Sequence, residues 1–302
     1  MHIVSLGEVM VEMAPTDVSG RYAMSFAGDT FNTAWYLARL RPDWRVDYMT
    51  GIGTDALSDQ FVDFANAAGI GTDRIIRASD RTLGLYLIEL DNGERSFHYW
   101  RGQSAARSLA DDPDRLSAGL RGADWIFLSG ITLAILAPED RAALLEVLAK
   151  ARTAGAQIAF DPNIRSRLWE DMTTARAAIT QAAFNADLLL PSFEEEAETF
   201  GDDAPTSTIA RYRERGVARV IVKNSGGPVH FADEGGRGSI KPVPLDSVVD
   251  TTAAGDSFNA GVLTELLAGQ SMERATEMGC QLARAVIGHR GALVPFEARL
   301  LC

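Results

Sequence analysis

DTTAAGDSFNAG, residues 250–261, follows a predicted strand and opens a helical pattern. Its small residues Ala253, Ala254 and Gly255 let the backbone approach a ligand closely. Amides at a helix start point outward, and the helix dipole favours an anion there. Asp256 lies inside that nest. A carboxylate so placed can accept a proton from a hydroxyl while the amides hold a transferring phosphoryl group. The plainer alternative is that Asp256 only caps the helix.

Outward from this stretch, short apolar runs alternate with longer amphipathic ones. Strands are predicted at 3–6, 46–50, 125–128, 157–160, 187–190 and 219–222, with helices at 30–40, 56–68, 138–153, 173–184 and 193–200. That alternation implies an α/β fold with a mainly parallel sheet covered by helices on both faces. Residues 21–26 and 83–101 break the rhythm and read as short strands. LYLIELDNGERSFHYW alternates around Asn92-Gly93, a hairpin turn signal. Inserted strands of this kind form a flap over a sheet edge, and lid strands are expected at about 12–26 and 81–103. Residues 254–289 read as two helices hinged near Gly269. No repeat or linker composition divides the chain, so one domain over 1–302 with a small lid is expected.

The 302 residues are 46% hydrophobic and 23% charged, a globular composition. A net charge of -12 disfavours nucleic acid and anionic membranes as partners. Cys280 and Cys302 are the only cysteines, which suits a reducing compartment rather than a disulfide. The N-terminus lacks a basic region, and Glu8 and Glu12 break its apolar run, so a signal peptide is not expected. The apolar stretch 125–137 is interrupted and too short to span a bilayer. A cytoplasmic protein is the expectation. His2, His98, His230 and His289 are scattered, and no Cys/His spacing suggests zinc. Neither a P-loop nor a G-x-S-x-G frame is present.

DTTAAGDSF resembles the C-terminal signature of the ribokinase-like (PfkB) carbohydrate kinases, usually D-T-x-G-A-G-D, with Ala253 where Gly is usual. Ala suits that place unless φ must be positive. Further partial matches run along nearly the whole chain in the family's order: AGDTFNTAWYLARL at its substrate turn, GIGTD at 51–55, PSFEEE with Ser192 and Glu195, and VKNSGG with Asn224 for Gly. The resemblance implies a three-layer αβα fold, a mainly parallel central sheet and a small β-sheet lid. It implies Asp256 as the base, with the amides of Ala253, Ala254, Gly255 and Asp256 as the anion hole. ATP and Mg²⁺ are the implied cofactors, and K⁺ joins them in many relatives. Asn163, Ser192, Glu195, Lys223, Gly226 and Gly255 are implied around the nucleotide, with Glu195 reaching the metal through water. A solvated helix face is the bland reading for Glu195 in the run 194–196. Relatives often pair lid strands between subunits, so a homo-oligomer is expected.

SFHYWRGQSAAR at 96–107 and DPNIRSRLW at 161–169 each place an arginine where a pocket is expected. Arginine grips a carboxylate with paired planar hydrogen bonds, which a neutral sugar does not need. Both segments resemble those of the family branch that phosphorylates the sugar acid 2-keto-3-deoxygluconate at its primary hydroxyl. By that resemblance Gly28, Asp29, Asn32, Tyr86, Tyr99, Arg101 and Arg165 line the sugar site. The bland readings are lid packing for the tyrosines and a surface ion pair for the arginines. Three alternatives stand beside this one. They are a kinase of a neutral sugar such as fructose or ribose, a non-catalytic sugar-binding protein, and an NAD-dependent oxidoreductase. The last rests on GIGTDA at 51–56, a partial dinucleotide fingerprint with Asp73 twenty residues past Gly53.

Overall fold

A computed structural model describes residues 1–18, 20–91 and 94–295. The strands are β1 (His2–Leu6), β2 (Met10–Pro15), β3 (Tyr22–Ala27), β4 (Arg45–Met49), β5 (Gly51–Ile52), β6 (Ile76–Arg77), β7 (Gly84–Asp91), β8 (Glu94–Trp100), β9 (Trp125–Ser129), β10 (Gln157–Asp161), β11 (Leu188–Leu189), β12 (Arg219–Val222), β13 (Val229–Asp233) and β14 (Gly236–Ile240). The helices are α1 (Asp29–Leu40), α2 (Ala56–Ala67), α3 (Pro113–Leu120), α4 (Gly130–Ala134), α5 (Pro138–Thr153), α6 (Met172–Asn185), α7 (Phe193–Phe200), α8 (Pro205–Arg213), α9 (Ala254–Leu266) and α10 (Met272–Ile287).

The main sheet has eight strands in the order β14-β13-β12-β11-β10-β9-β1-β4. β4 through β12 are parallel, and β13 and β14 join antiparallel at one edge. Successive residues point to opposite faces of a strand. Ile3, Trp125, Phe127 and Ala159 therefore pack on one side with α1, α2, α9 and α10. Val4, Ile126, Leu128, Ile158 and Phe160 pack on the other with α3, α5 and α6. Strands buried on both faces read as continuous apolar runs, and this is why the parallel core stands out in the sequence. The chain leaves β1 for β4 on one side and later returns to β9 on the other. Such a reversal opens a crevice at the C-terminal ends of the strands.

A second sheet of four strands runs β3-β2-β7-β8. Glu12, Tyr86 and Tyr99 stand side by side across β2, β7 and β8. Met10, Ala27, Tyr86 and Ile88 form a small core of their own with Ala292. The Asn92-Gly93 turn expected between β7 and β8 lies outside the described residues, as does Cys302. The helix break near Gly269 appears between α9 and α10, with φ at 85°. Unpredicted elements are α3, α4, α8, the hairpin β13-β14 and the short β5 and β6. Among the described residues no helix is long and apolar enough to cross a membrane.

Helix α7 is pinned from below. Glu196 is fully buried and accepts hydrogen bonds from Arg211 Nη2 at 2.5 Å and Tyr212 Oη at 3.0 Å, both on α8. Arg211 also donates to Asp202 at 2.7 Å. Removing one partner of a buried pair strands the other charge. Arg211→Ala is therefore expected to lower unfolding free energy by about 3–5 kcal/mol, read by urea denaturation.

Candidate active site

The site grows from the start of α9. Ala253, its first flanking residue, holds φ 58° and ψ 16°, a left-handed conformation, and lends the helix no side-chain cap. Four other helices do carry side-chain caps: Asp55 on α2, Asp112 on α3, Asp171 on α6 and Ser271 on α10. At α9 the Ala254 amide donates to the Thr251 carbonyl at 3.2 Å, while those of Gly255 and Asp256 meet no acceptor among the described residues. Of the four amides expected around an anion, the turn engages that of Ala254, and that of Ala253 likewise meets no acceptor among the described residues. Lys223 Nζ stands 3.7 Å from where a Cβ on Gly255 would lie. An ammonium beside open helix-start amides suits a phosphate chain.

Asp256, in the first turn, is half-buried. Its Oδ2 accepts from Asn32 Nδ2 at 2.8 Å, and its carbonyl from Thr33 Oγ1 at 3.1 Å. Burial, and next the charge of Asp29, push its carboxyl up to about 7. Asn32 is fixed in turn by the Gly28 amide, at 3.3 Å from its Oδ1. Gly28 passes so near the Glu8 backbone that a Cβ there would strike the Glu8 carbonyl. Asp29 opens α1 and accepts from Asn163 Nδ2 at 2.7 Å. Gly28, Asn32 and Asp256 are therefore joined in one line, and Thr33 Oγ1, bonded to the carbonyls of both Asp256 and Asp29, ties in Asp29 and with it Asn163.

On the other flank, Lys223 Nζ donates to Asp161 Oδ2 at 2.6 Å and Asn259 Nδ2 to the same oxygen at 2.7 Å. Asp161 Oδ1 takes the Asn163 amide at 3.1 Å. Asp161 and Asn259, both buried, are absent from the sequence-based site. Asp161 follows a core strand within D-P-N, and Asn259 lies one helical turn past Asp256, so both had a positional signal. Ser192 precedes α7, and its neighbours bond to Lys223 through the backbone: Lys223 N to Pro191 O and Phe193 N to Lys223 O, each at 2.8 Å. In the acidic run, Glu194 is exposed, Glu195 half-buried and Glu196 buried, so the run is not a uniform solvated face. Glu195 accepts from the Ile164 amide at 2.9 Å and pairs with Arg165. Two residues expected on different ligands, Arg165 and Glu195, thus bond to each other where β10 and β11 end. Gly226 lies exposed in the turn after β12, with no hydrogen bond to the others.

The second sheet lies close to these residues. The Tyr86 hydroxyl donates to Glu12, and its ring lies 5.8 Å from that of Tyr99. Burial first, then Glu12, with Tyr99 and Asp256 adding, push the Tyr86 phenol well up. Tyr86 therefore sits within electrostatic reach of Asp256. Tyr99 is 52% exposed and faces the Arg101 guanidinium at 5.8 Å. Arg101 and Ser104 both donate to Glu8. Sequence reading took Glu8 and Glu12 only as breaks in an apolar run. Acidic side chains inside a buried run must find partners, and that was the overlooked signal.

The GIGTDA segment does not offer a dinucleotide its helix start. Asp55 accepts from Ser58 N at 3.0 Å and Thr82 Oγ1 at 2.7 Å, so a fixed carboxylate occupies the place a pyrophosphate would need.

Comparison with known proteins gives a consistent picture. Residues 1–299 match the model of the pfkB family carbohydrate kinases. The 2-dehydro-3-deoxygluconokinase of Haemophilus influenzae is 38% identical over 97% of this chain and 95% of its own length. That of Dickeya dadantii is 37% identical over 98% of each. A PfkB protein from Polaromonas sp. JS666, of known crystal structure, superposes with a TM-score of 0.85 at 26% identity over 95% of this chain and 96% of its own.

The left-handed Ala253 carries a steric cost of roughly 1–2 kcal/mol that glycine would not. Glycine's greater unfolded-chain freedom offsets part of the gain. Ala253→Gly is expected to raise stability by about 0.5–1 kcal/mol, seen as a higher midpoint in thermal unfolding.

Proposed function

The chain belongs to the pfkB family of carbohydrate kinases, and from that premise we propose that it phosphorylates 2-keto-3-deoxygluconate at its primary hydroxyl, with ATP as donor. The observation that carries this reading is Asp256 beside the two open amides of α9, with Lys223 on one flank and, beyond Asn32 and Gly28, Arg101 held by Glu8, whose backbone Gly28 meets. The relatives from Haemophilus and Dickeya, similar over nearly their whole length, support the choice of sugar acid.

The residues divide the work. Asp256 takes the proton of the sugar hydroxyl as its oxygen bonds to the γ-phosphorus and the bond to the β-phosphate oxygen breaks. Asn32 holds the carboxylate in place. The Gly255 and Asp256 amides receive charge on the transferring group, and Lys223, held by Asp161 and Asn259, bears on the phosphates. Arg101 grips the sugar carboxylate, with Tyr86 and Tyr99 packing beside it. Magnesium would neutralise phosphate charge. Among the described residues no three acidic, His or Cys side chains cluster as a metal cage. Mg²⁺ keeps several waters and uses few carboxylates, so Glu195 and Asn163 fit as partners through water. The four-stranded sheet acts as a lid. Its exposed Tyr22, Met24 and Trp100 support pairing with a second copy.

Phosphoryl transfer from ATP, measured for 2-keto-3-deoxygluconate, fructose, ribose and adenosine under equal conditions, should favour the sugar acid. Preference for a neutral sugar overturns the carboxylate clamp. Arg101→Ala should lower kcat/KM for the sugar acid about 10- to 150-fold and spare the KM for ATP.

Asp256→Asn should lower kcat by about 10² or more, with the circular dichroism of the folded chain retained. The base works only when ionised, so kcat/KM should rise with pH and level off above about 7. Stability runs the other way. A raised carboxyl favours the fold fully below its ordinary value near 4, and that contribution is lost as pH climbs through about 7. Asp256→Asn should therefore melt no lower than the parent at about pH 8.

A further inference from the structure

Glu8 has no part in the phosphoryl-transfer chemistry, yet it is among the most completely buried carboxylates described, at 2% exposure. It stands two residues past the end of β1. Both its oxygens are used: Ser104 Oγ donates to Oε1 and Arg101 Nη2 to Oε2. The side chains of the pair are 11% and 1% exposed. A Cβ on Gly84 of β7 would come within 3.0 Å of Glu8 Oε1 and 3.3 Å of Arg101 Cβ, so the backbone of the second sheet closes over the pair. Burial pushes the Glu8 carboxyl up and Arg101 pulls it down, so its charge depends on that guanidinium. A buried ion pair is a poor way to gain stability, because desolvation cancels much of the attraction. It is an effective way to fix the direction of a planar fork.

That direction matters because Arg101 is only partly used. Nη2 goes to Glu8, Nε is buried without a partner, and Nη1 has none among the described residues. The fork thus keeps donors for an acceptor that the protein does not supply. Arginine has a long, rotatable stem, and the exposed ring of Tyr99 at 5.8 Å offers an alternative resting place. Without Glu8 nothing in these contacts would choose between the two.

We infer that Glu8 is a positioning residue for sugar recognition: it anchors one nitrogen of Arg101 so that the others meet the substrate's carboxylate. The inference rests on the carboxylate-clamp reading above and adds to it the residue that makes the clamp specific.

The test is a double-mutant cycle on the full chain, with Glu8→Gln, Arg101→Ala and the pair combined, each checked for folding by circular dichroism. Glu8→Gln should raise KM for 2-keto-3-deoxygluconate about 10-fold, with kcat within about 3-fold and the KM for ATP within about 2-fold. In the Arg101→Ala background the same change should move the sugar KM by less than about 2-fold, since the anchor then holds nothing. A purely structural role would give additive effects and spread them to ATP, and that result overturns the inference. So does an unchanged sugar KM in folded Glu8→Gln. If Glu8→Gln does not fold, Ser104→Ala replaces it in the cycle. It should raise the sugar KM about 3-fold only while Arg101 is present, and no such dependence is a refutation. Arg101→Ala with normal sugar-acid kinetics removes the clamp reading and this inference together. Impaired Arg101→Ala beside a normal Glu8→Gln removes this inference alone.

Discussion

Three carboxylates, Asp29, Asp161 and Asp256, crowd the ends of the sheet strands, and the site depends on how that repulsion is balanced. Burial first, then Asp29 and Asp161, push the Asp256 carboxyl up, and Asn32 and Lys223 pull the other way. Asp161 is shared between Lys223 and Asn259, so its charge is spent locally. Asp29 gives one oxygen to Asn163. Asp256 is left with a single neutral side-chain donor, Asn32, and burial with the neighbouring charges holds its carboxyl up at about 7, the range a base requires. Asp29 and Lys223 are thus linked through Asn163 and Asp161.

Much of the architecture was legible because of where the parallel strands lie. β1, β9, β10 and β12 are buried on both faces and do not alternate cleanly, so they announce themselves as largely apolar runs. β11 was read as four residues and pairs over two, since its ends turn at once into the loops carrying Asp187 and Ser192. The hairpin β13-β14 was missed for the opposite reason. It is an edge with exposed positions and glycines, Gly236 and Gly238, and carries little strand signal. Helix α8 is short and polar, and its buried Tyr212 serves Glu196 rather than a broad apolar stripe.

The site was legible in its chemistry and less so in its partnerships. Asp256 stands out because a carboxylate sits at a helix start, whereas Lys223, Asn32 and Asn163 enter only through the family resemblance. Pairings between distant segments leave no local mark: Glu8 with Arg101, 93 positions apart, and Glu195 with Arg165, 30 apart. The positive φ at Ala253 was equally hidden, because alanine rarely advertises a left-handed turn. What the sequence did carry was a warning, since a glutamate inside an apolar strand must be satisfied somewhere.

The loop before α9 has a second anchor far down the chain. Asp250 accepts from Thr252 N at 2.9 Å and from Gly291 N at 2.7 Å. Three residues later, Val294 N donates to Tyr36 Oη at 3.0 Å, and that hydroxyl donates to Ala292 O at 2.8 Å. Residues 291–294 therefore behave as a buckle. They fasten the loop that leads into α9 to α1, the helix that presents Asp29 and Asn32. Fusions, tags or circular permutations that disturb this short stretch would slacken catalysis from behind, in a region that a list of ligand contacts would leave unguarded.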